Sequence, residues 1–139
     1  MSNYSLAAAN EAIELAKLSE GSITFIHVVG PEPYKDELYD SSPADRQVED
    51  EIRETANKWF SQVAEICAKK KVPSKMEVML EGNLVVQTMA DYAKNMGADL
   101  IIVGHSTAHG FGRLLKGDVS KGVIDHAHAP CSVLVVKGQ

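Results

Sequence analysis

Hydrophobic positions recur along this chain in two different periods. Over residues 5–18 the apolar side chains are spaced by three and four, and Gly21 follows, which predicts an amphipathic helix. A wider stripe of the same spacing over residues 49–70 predicts a second helix. Between them, residues 22–30 read SITFIHVVG, a short β-branched run that is apolar on both faces. Such a run is typical of an interior strand in a parallel sheet.

The second half of the chain repeats this order. KMEVMLEG alternates apolar and polar residues, which predicts a strand near a sheet edge, and NLVVQTMADYAKNMGA predicts a helix with Asn83 as N-cap and Gly97 as stop. DLIIVG predicts a buried strand, residues 104–117 a glycine-rich loop, residues 118–128 a helix and CSVLVVK a last strand. Residues 31–50 are polar, hold three prolines and are interpreted as a surface excursion.

Helices that alternate with apolar strands predict a three-layer α/β/α fold around a parallel sheet. The 139 residues suit one domain, so we expect residues 1–139 to form a single unit. Ligand sites in such sheets lie at the carboxyl ends of the strands, and the loop that begins at Gly104 follows one of these ends.

Charge and composition narrow the function classes. Nineteen acidic against fourteen basic residues argue against a nucleic-acid partner, and Lys69, Lys70 and Lys71 are interpreted as a solvated helix end. No apolar stretch is long enough to span a membrane, and no signal peptide is recognised. Cys67 and Cys131 lie in apolar surroundings, as small core residues of a reducing compartment do. We therefore expect a cytoplasmic protein without a membrane or nucleic-acid partner.

The loop after DLIIVG allows three interpretations. It can be a phosphate cradle, because its glycines let backbone N–H groups approach an anion and a helix N-terminus follows. It lacks the spacing of a P-loop and of a dinucleotide-binding fold. It can also be a turn that binds nothing. The residues of the cradle interpretation are Gly104, Gly110, Gly112, Gly117, Arg113 and Lys116.

The third interpretation is a nucleophile elbow around Ser106, because VGHSTA nearly matches G-x-S-x-G and acidic and histidine residues follow in hydrolase order. Ala108 stands in place of the last glycine, and the further glycines keep the chain in a loop where an elbow needs a helix. Histidines cluster in the same part of the chain, but their spacing matches no metal-binding motif, so no metal site is predicted. His27, inside a strand, is interpreted as a core histidine.

The order of elements and the ending GADLIIVGHSTAHGFGRLLKGDVSKGVIDHAHAPCSVLVVK resemble the universal stress protein family, over nearly the whole chain. The resemblance implies the adenine-nucleotide α-hydrolase-like fold and a site for ATP or ADP, with Mg²⁺ accompanying the nucleotide. It implies no catalytic residues and at most slow ATP hydrolysis. The candidate nucleotide-binding residues are Val28, Val29, Gly82, Val103, Gly104, Thr107, Arg113, Gly117, Asp118, Val119 and Ser120.

Nucleotide-binding members of that family carry G-x-x-G, nine residues, then G-[ST] in this loop. The spacing is kept here, but Thr107 replaces the second glycine and Asp118 replaces the hydroxyl residue. A Cβ at position 107 restricts positive φ and crowds a phosphate, and a carboxylate at position 118 repels phosphate oxygens. Arg113 and Lys116 offer partial compensation. We therefore expect an impaired nucleotide site.

The resemblance also implies a first strand that is not recognised here. Family members open with an apolar strand that ends in an adenine-binding aspartate, whereas this sequence opens with MSNYS. That strand is central, between the strands that correspond to residues 23–29 and 100–103, and its loss leaves costly unpaired backbone groups. Three explanations stay open: a chain shorter than the gene product, closure of the two flanking strands, or a strand from a partner chain.

The last strand is apolar on both faces although the family topology places it at an edge. The resemblance implies a homodimer built partly on Val133, Leu134, Val135 and Val136. The function expected is that of a cytoplasmic stress-response module with an impaired nucleotide site. The alternatives are an ATP-binding switch, in which nucleotide changes dimer state or partner choice, and a serine hydrolase that uses Ser106.

Overall fold

The computed structural model describes residues 3–29, 43–80, 85–106 and 131–138. Helices and strands alternate through these ranges until the last strand, in the order that the hydrophobic pattern predicts. The elements are α1 (Asn3–Ser19), β1 (Ile23–Val29), α2 (Pro43–Lys70), β2 (Ser74–Leu80), α3 (Val85–Met96), β3 (Leu100–Ser106) and β4 (Ser132–Gly138).

The strands form two parallel pairs. Strand β1 pairs with β2 from Ile23 opposite Ser74 to Val29 opposite Leu80, and β3 pairs with β4 from Leu100 opposite Ser132 to Ser106 opposite Gly138. Within the described ranges β1 and β3 are not hydrogen-bonded to each other. The parallel α/β fold is confirmed, and the flanking strands have not closed up.

Each of the three described helices ends in the same way. The residue after the last turn adopts a left-handed conformation, at Glu20 (φ 55°), Lys71 (φ 57°) and Gly97 (φ 70°). The next N–H then donates to the carbonyl five residues earlier, as Gly21 does to Ala16 at 2.8 Å. This is a Schellman motif. The stop at Gly97 is confirmed, whereas α1 takes its left-handed position at Glu20, one residue before the expected glycine.

Helix α2 is longer than its apolar stripe predicts. It begins at Pro43, so the second part of the segment interpreted as a polar excursion, residues 43–50, is helical. Proline suits the first turn of a helix because its fixed φ fits and its missing N–H has no acceptor there. The apolar pattern gave no sign of these turns because the sequence over residues 43–50 is mostly polar and shows no apolar repeat. The predicted excursion over residues 31–42, the N-cap Asn83 and the helix over residues 118–128 lie outside the described residues.

Helix α1 contacts both strand pairs. Towards its carboxyl end, Ile13 and Ala16 join Cys67 and Val72 in a buried cluster, with Ile23, Phe25 and Ile66 packed around it. The buried side of the helix is otherwise made of alanines, at positions 8, 9, 12 and 16. Helix α1 also contacts both β3 and β4. Its small side chains therefore allow close packing across the two pairs.

The basic run at the end of α2 takes part in local contacts. Lys69 pairs with Glu65 at 3.3 Å, and Lys70 pairs with Glu14 of α1. Lys17 of α1 reaches the carbonyl of Lys70 at 3.4 Å, where a cation is favoured by the unsatisfied carbonyls of a helix end. Lys17 and Lys70 thus connect α1 with the end of α2, whereas Lys69 pairs within α2, and these contacts agree with the interpretation as a solvated helix end.

Candidate functional site

The first part of the predicted loop is strand. Strand β3 runs on through Gly104, His105 and Ser106, and Gly104 lies opposite Val136 of β4. The prediction that the loop starts at Gly104 is therefore wrong by three residues. Glycine weakens a strand but keeps its backbone donor and acceptor, so pairing with an apolar partner strand extends the ladder through it.

The side of Gly104 that lacks a side chain is covered by the first turn of α1. A Cβ placed on Gly104 would lie 2.7 Å from the carbonyl carbon of Tyr4 and 3.1 Å from the nitrogen of Ser5. Real side chains do not approach backbone so closely, and here the neighbour is a helix and not the flexible end of a side chain. Position 104 therefore needs glycine for helix packing, whatever else it binds.

Gly138, on the neighbouring strand β4, packs against the same first turn of α1. A Cβ there would lie 2.6 Å from the Cα of Tyr4 and 2.9 Å from its nitrogen. Gly104 and Gly138 lie at the carboxyl ends of paired strands and together form a flat surface on which Tyr4 packs. We call this surface the glycine seat. Sequence reasoning missed Tyr4 and Gly138, because nothing in either residue's neighbours along the chain signals the other.

The remaining predicted site residues divide into two groups. Val28 is buried, at 7% exposure, near the carboxyl end of β1, and Val29 ends that strand. Val103 is half-buried on β3 next to Gly104. The structure thus places these residues at the carboxyl ends of the two inner strands of the family order. The others lie outside the described residues: Gly82, Thr107, Arg113, Gly117, Asp118, Val119 and Ser120.

Ser106 ends strand β3 and lies opposite Gly138. A nucleophile elbow holds its serine on a sharp turn between strand and helix, so an extended residue in a ladder is the wrong setting for it. This geometry gives no support to the hydrolase interpretation.

His27 is half-buried on β1, so the prediction of a core histidine holds only in part. Its ring meets that of Trp59 on α2 edge to face, with centroids 5.7 Å apart and an interplanar angle of 89°. Burial lowers the pKa of His27, because removing water disfavours the charged imidazolium. Within the described ranges, no group of three His, Cys, Asp or Glu side chains is arranged to hold a metal ion.

Both cysteines are free thiols. Cys67 belongs to the buried cluster, and Cys131 is half-buried just before β4. Burial, followed by the negative charge of Asp99, raises the pKa of the Cys131 thiol. Both effects disfavour the thiolate, which is the nucleophilic form. The core role expected of Cys67 is confirmed, and Cys131 is only partly buried.

An open groove of about 510 Å³ lies between α2 and β2. Its strand wall is the middle of β2, so the groove lies away from the strand ends where the site is predicted. The groove is lined by Arg53, Asn57, Phe60, Ser61, Ala64, Met76, Glu77 and Val78.

None of the helices in the described ranges is long and apolar enough to cross a membrane.

Parallel strand pairs with helices between successive strands define a protein of the parallel α/β class. The sequence model of the universal stress protein family matches residues 1–137, so the chain belongs to that family. A universal stress protein of Methanocaldococcus jannaschii is 32% identical, with 98% of this chain and 76% of that protein covered.

Solved structures agree with this assignment. The universal stress protein UspA of Lactobacillus plantarum superimposes with a TM-score of 0.69 at 28% identity, covering 97% of this chain and 90% of that one. A universal stress protein of Archaeoglobus fulgidus in complex with dAMP superimposes with a TM-score of 0.66 at 18% identity, covering 99% and 90%. Another matched structure is a universal stress protein in complex with cAMP, with a TM-score of 0.64 at 19% identity, covering 99% and 90%.

Proposed function

We propose that this chain is a homodimeric stress-response module whose adenine-nucleotide site is impaired. The observation that carries the proposal is the packing of Tyr4 and Ser5 on Gly104. In the family pattern Gly104 is the first glycine of the phosphate loop. Here the backbone of α1 occupies the space where a side chain of Gly104 would lie. This glycine therefore allows the helix to pack closely, and less room is left beside it for a ligand.

The sequence of the loop supports the same proposal. Thr107 adds a Cβ where the motif has glycine, and Asp118 adds a negative charge where it has a hydroxyl group. A carboxylate 4 Å from a phosphate oxygen is repelled by about 4 kcal/mol at an effective dielectric constant of about 20. This repulsion is a large part of the binding free energy of a ligand with micromolar affinity. Arg113 and Lys116 offset this only in part.

Calorimetric titration with ATP, ADP and AMP in the presence of Mg²⁺ tests the proposal. We expect weak binding by the wild-type chain and at least a tenfold gain in the double variant Thr107→Gly, Asp118→Ser. The matched control is Asp50→Ser, which removes the same charge from an exposed position on α2 and should leave the affinity unchanged. Tight wild-type binding with little change in the double variant would contradict the proposal.

The rival function is a nucleotide-dependent switch, and it is favoured by the matched structures that hold dAMP and cAMP. Those proteins are 18% and 19% identical to this chain, which supports a shared fold more than a shared ligand. Denaturing mass spectrometry of the purified protein separates the two functions. Released ATP or ADP favours the switch, and a nucleotide-free protein favours the impaired site.

The homodimer is proposed along the outer edge of β4, at Val133, Leu134, Val135 and Val136. These four residues are half-buried in the single chain, although β4 pairs with β3 alone among the described strands. A second chain that pairs along this edge would complete their burial. Native mass spectrometry should give a dimer mass, and the double variant Val133→Lys, Val135→Lys should give a monomer. A dimer that survives both substitutions would place the interface elsewhere.

A further inference from the structure

The groove between α2 and β2 runs along the edge of β2 that faces away from β1. Its lining residues belong to α2 and β2, and none of them comes from β1. Among the described strands, β2 is hydrogen-bonded to β1 alone. The two walls of the groove are therefore one side of α2 and the second edge of β2.

The backbone of β2 presents alternate residues at this second edge. Ile23 of β1 donates its N–H to the carbonyl of Pro73 at 2.9 Å, and its Cα partner is Ser74. In a parallel ladder a residue bonds to the two neighbours of its partner, so the odd-numbered residues of β2 face β1. The N–H and C=O groups of Met76 and Val78 therefore point away from β1, and both residues line the groove.

The side chains of Met76 and Val78 face α2. Their partners across the ladder are Phe25 and His27, and residues opposite each other on paired strands point to the same face of a sheet. That face is covered by α2, because the ring of His27 meets that of Trp59. The strand wall thus offers apolar side chains next to backbone donors and acceptors.

The helix wall has an apolar floor and a polar border. Phe60 and Ala64 are half-buried residues of the lining. Asn57 and Ser61 are exposed, and the hydroxyl of Ser61 donates to the carbonyl of Asn57 at 2.8 Å. An extended segment fits these walls, because its backbone lies along the strand edge while alternate side chains reach the floor.

Charge indicates which kind of segment fits. Arg53 and Glu77 are the charged residues of the lining. Glu77 pairs with Lys75 at 2.8 Å, whereas Arg53 is exposed and takes part in none of the ion pairs within the described ranges. The groove therefore carries an uncompensated positive charge, which favours a negative charge on its occupant.

We propose that this groove binds an extended segment of another protein, which adds a strand to β2, carries apolar residues at alternate positions and places an acidic residue near Arg53. Backbone hydrogen bonds to Met76 and Val78 hold the segment, and contacts with Phe60 and Ala64 select its apolar residues. The seven residues of β2 set its length. This site is the middle of β2, away from the strand ends, so binding here does not require nucleotide.

Fluorescence anisotropy with a labelled peptide, DVTVTVTD, tests the charge preference. The peptide is acidic at both ends, so a carboxylate can reach Arg53 in either strand direction. We expect saturable binding that weakens at least tenfold in Arg53→Glu. The matched control is Lys58→Glu, which makes the same change of charge at an exposed position of α2 outside the groove and should change the affinity less than twofold.

Residue-resolved hydrogen exchange tests the pairing with β2. In the protein alone, the amides of Met76 and Val78 should exchange at least tenfold faster than those of Lys75 and Glu77, which face β1. Saturating peptide should slow the first two at least tenfold and leave the other two nearly unchanged. An added strand uses only every second N–H group, so methylation of either the valine or the threonine nitrogens should abolish binding, and methylation of the other set should not.

Four results would overturn the proposal. Equal protection of all four amides in the protein alone would mean that this edge is already covered. Protection of Met76 and Val78 that rises with protein concentration would assign the edge to a second copy of the chain. Equal binding of the two methylated peptides would exclude backbone pairing. Absence of binding at millimolar peptide, or equal effects of Arg53→Glu and Lys58→Glu, would exclude a groove that selects acidic segments.

Discussion

The imidazole of His27 on β1 and the indole of Trp59 on α2 meet edge to face, with ring centroids 5.7 Å apart and planes at 89°. This contact holds a titratable group between the longest helix and the inner strand of the first pair. Trp59 is the single tryptophan of the chain, so the tryptophan fluorescence comes from this side chain alone. A double-mutant cycle between the two positions should give a coupling of about 0.5–1.5 kcal/mol, the range for aromatic pairs.

Burial lowers the pKa of His27 below its ordinary value of 6.5, so the folded state takes up its proton at a lower pH than the unfolded state. The contribution of His27 to stability is therefore complete above about pH 6.5 and is lost as the pH falls through the folded-state pKa. We expect the free energy of unfolding to fall between pH 7.5 and pH 5. Urea unfolding followed by Trp59 fluorescence measures it.

The variant His27→Gln isolates this group from the carboxylates, which titrate in the same experiment. Its free energy of unfolding should fall less over the same pH interval than that of the wild type. An identical pH dependence in the two proteins would show that His27 does not contribute to acid sensitivity.

Because Tyr4 packs on Gly104 and Gly138, any side chain at either position should lower the free energy of unfolding. Alanine at either position places a Cβ within 3 Å of the helix backbone, so α1 must shift, and overpacking of this kind costs about 1–3 kcal/mol. Chemical denaturation measures the loss. Gly21→Ala is the control, because its Cβ would meet the side-chain oxygen of Ser19 at 3.2 Å and the backbone oxygen of Ala16 at an ordinary 3.9 Å, and a change below about 0.5 kcal/mol is expected. Equal losses in all three variants would mean that the seat has no special role.

Helix α1 offers a matched pair of apolar truncations. Ile13 is fully buried, and Ile13→Ala should lower the free energy of unfolding by about 2–5 kcal/mol through lost burial and a cavity. Leu18 on the same helix is 81% exposed, and Leu18→Ala should change it by less than about 0.5 kcal/mol. Thermal and urea unfolding compare the two. Similar losses would place the core away from the cluster around Cys67.

Much of the fold follows from local patterns. The apolar repeat identified α1, β1, β2, α3 and β4 to within about two residues at each end, because one buried face imposes its repeat on the sequence. It missed the first two turns of α2, where the sequence is polar and carries no apolar repeat. It also took Gly104, His105 and Ser106 for loop, because their strand conformation depends on pairing with β4, which is 25 or more residues away along the chain.

The sequence by itself determined the family, the parallel α/β class and the two departures, Thr107 and Asp118, from the nucleotide motif. These are properties of residue type and spacing, and they can be read without coordinates. Only the tertiary structure decided that Tyr4 covers Gly104 and Gly138 and that α1 contacts both strand pairs. Contacts of this kind join positions that are distant in the chain, and they depend on how α1 crosses the strands, which no local pattern encodes.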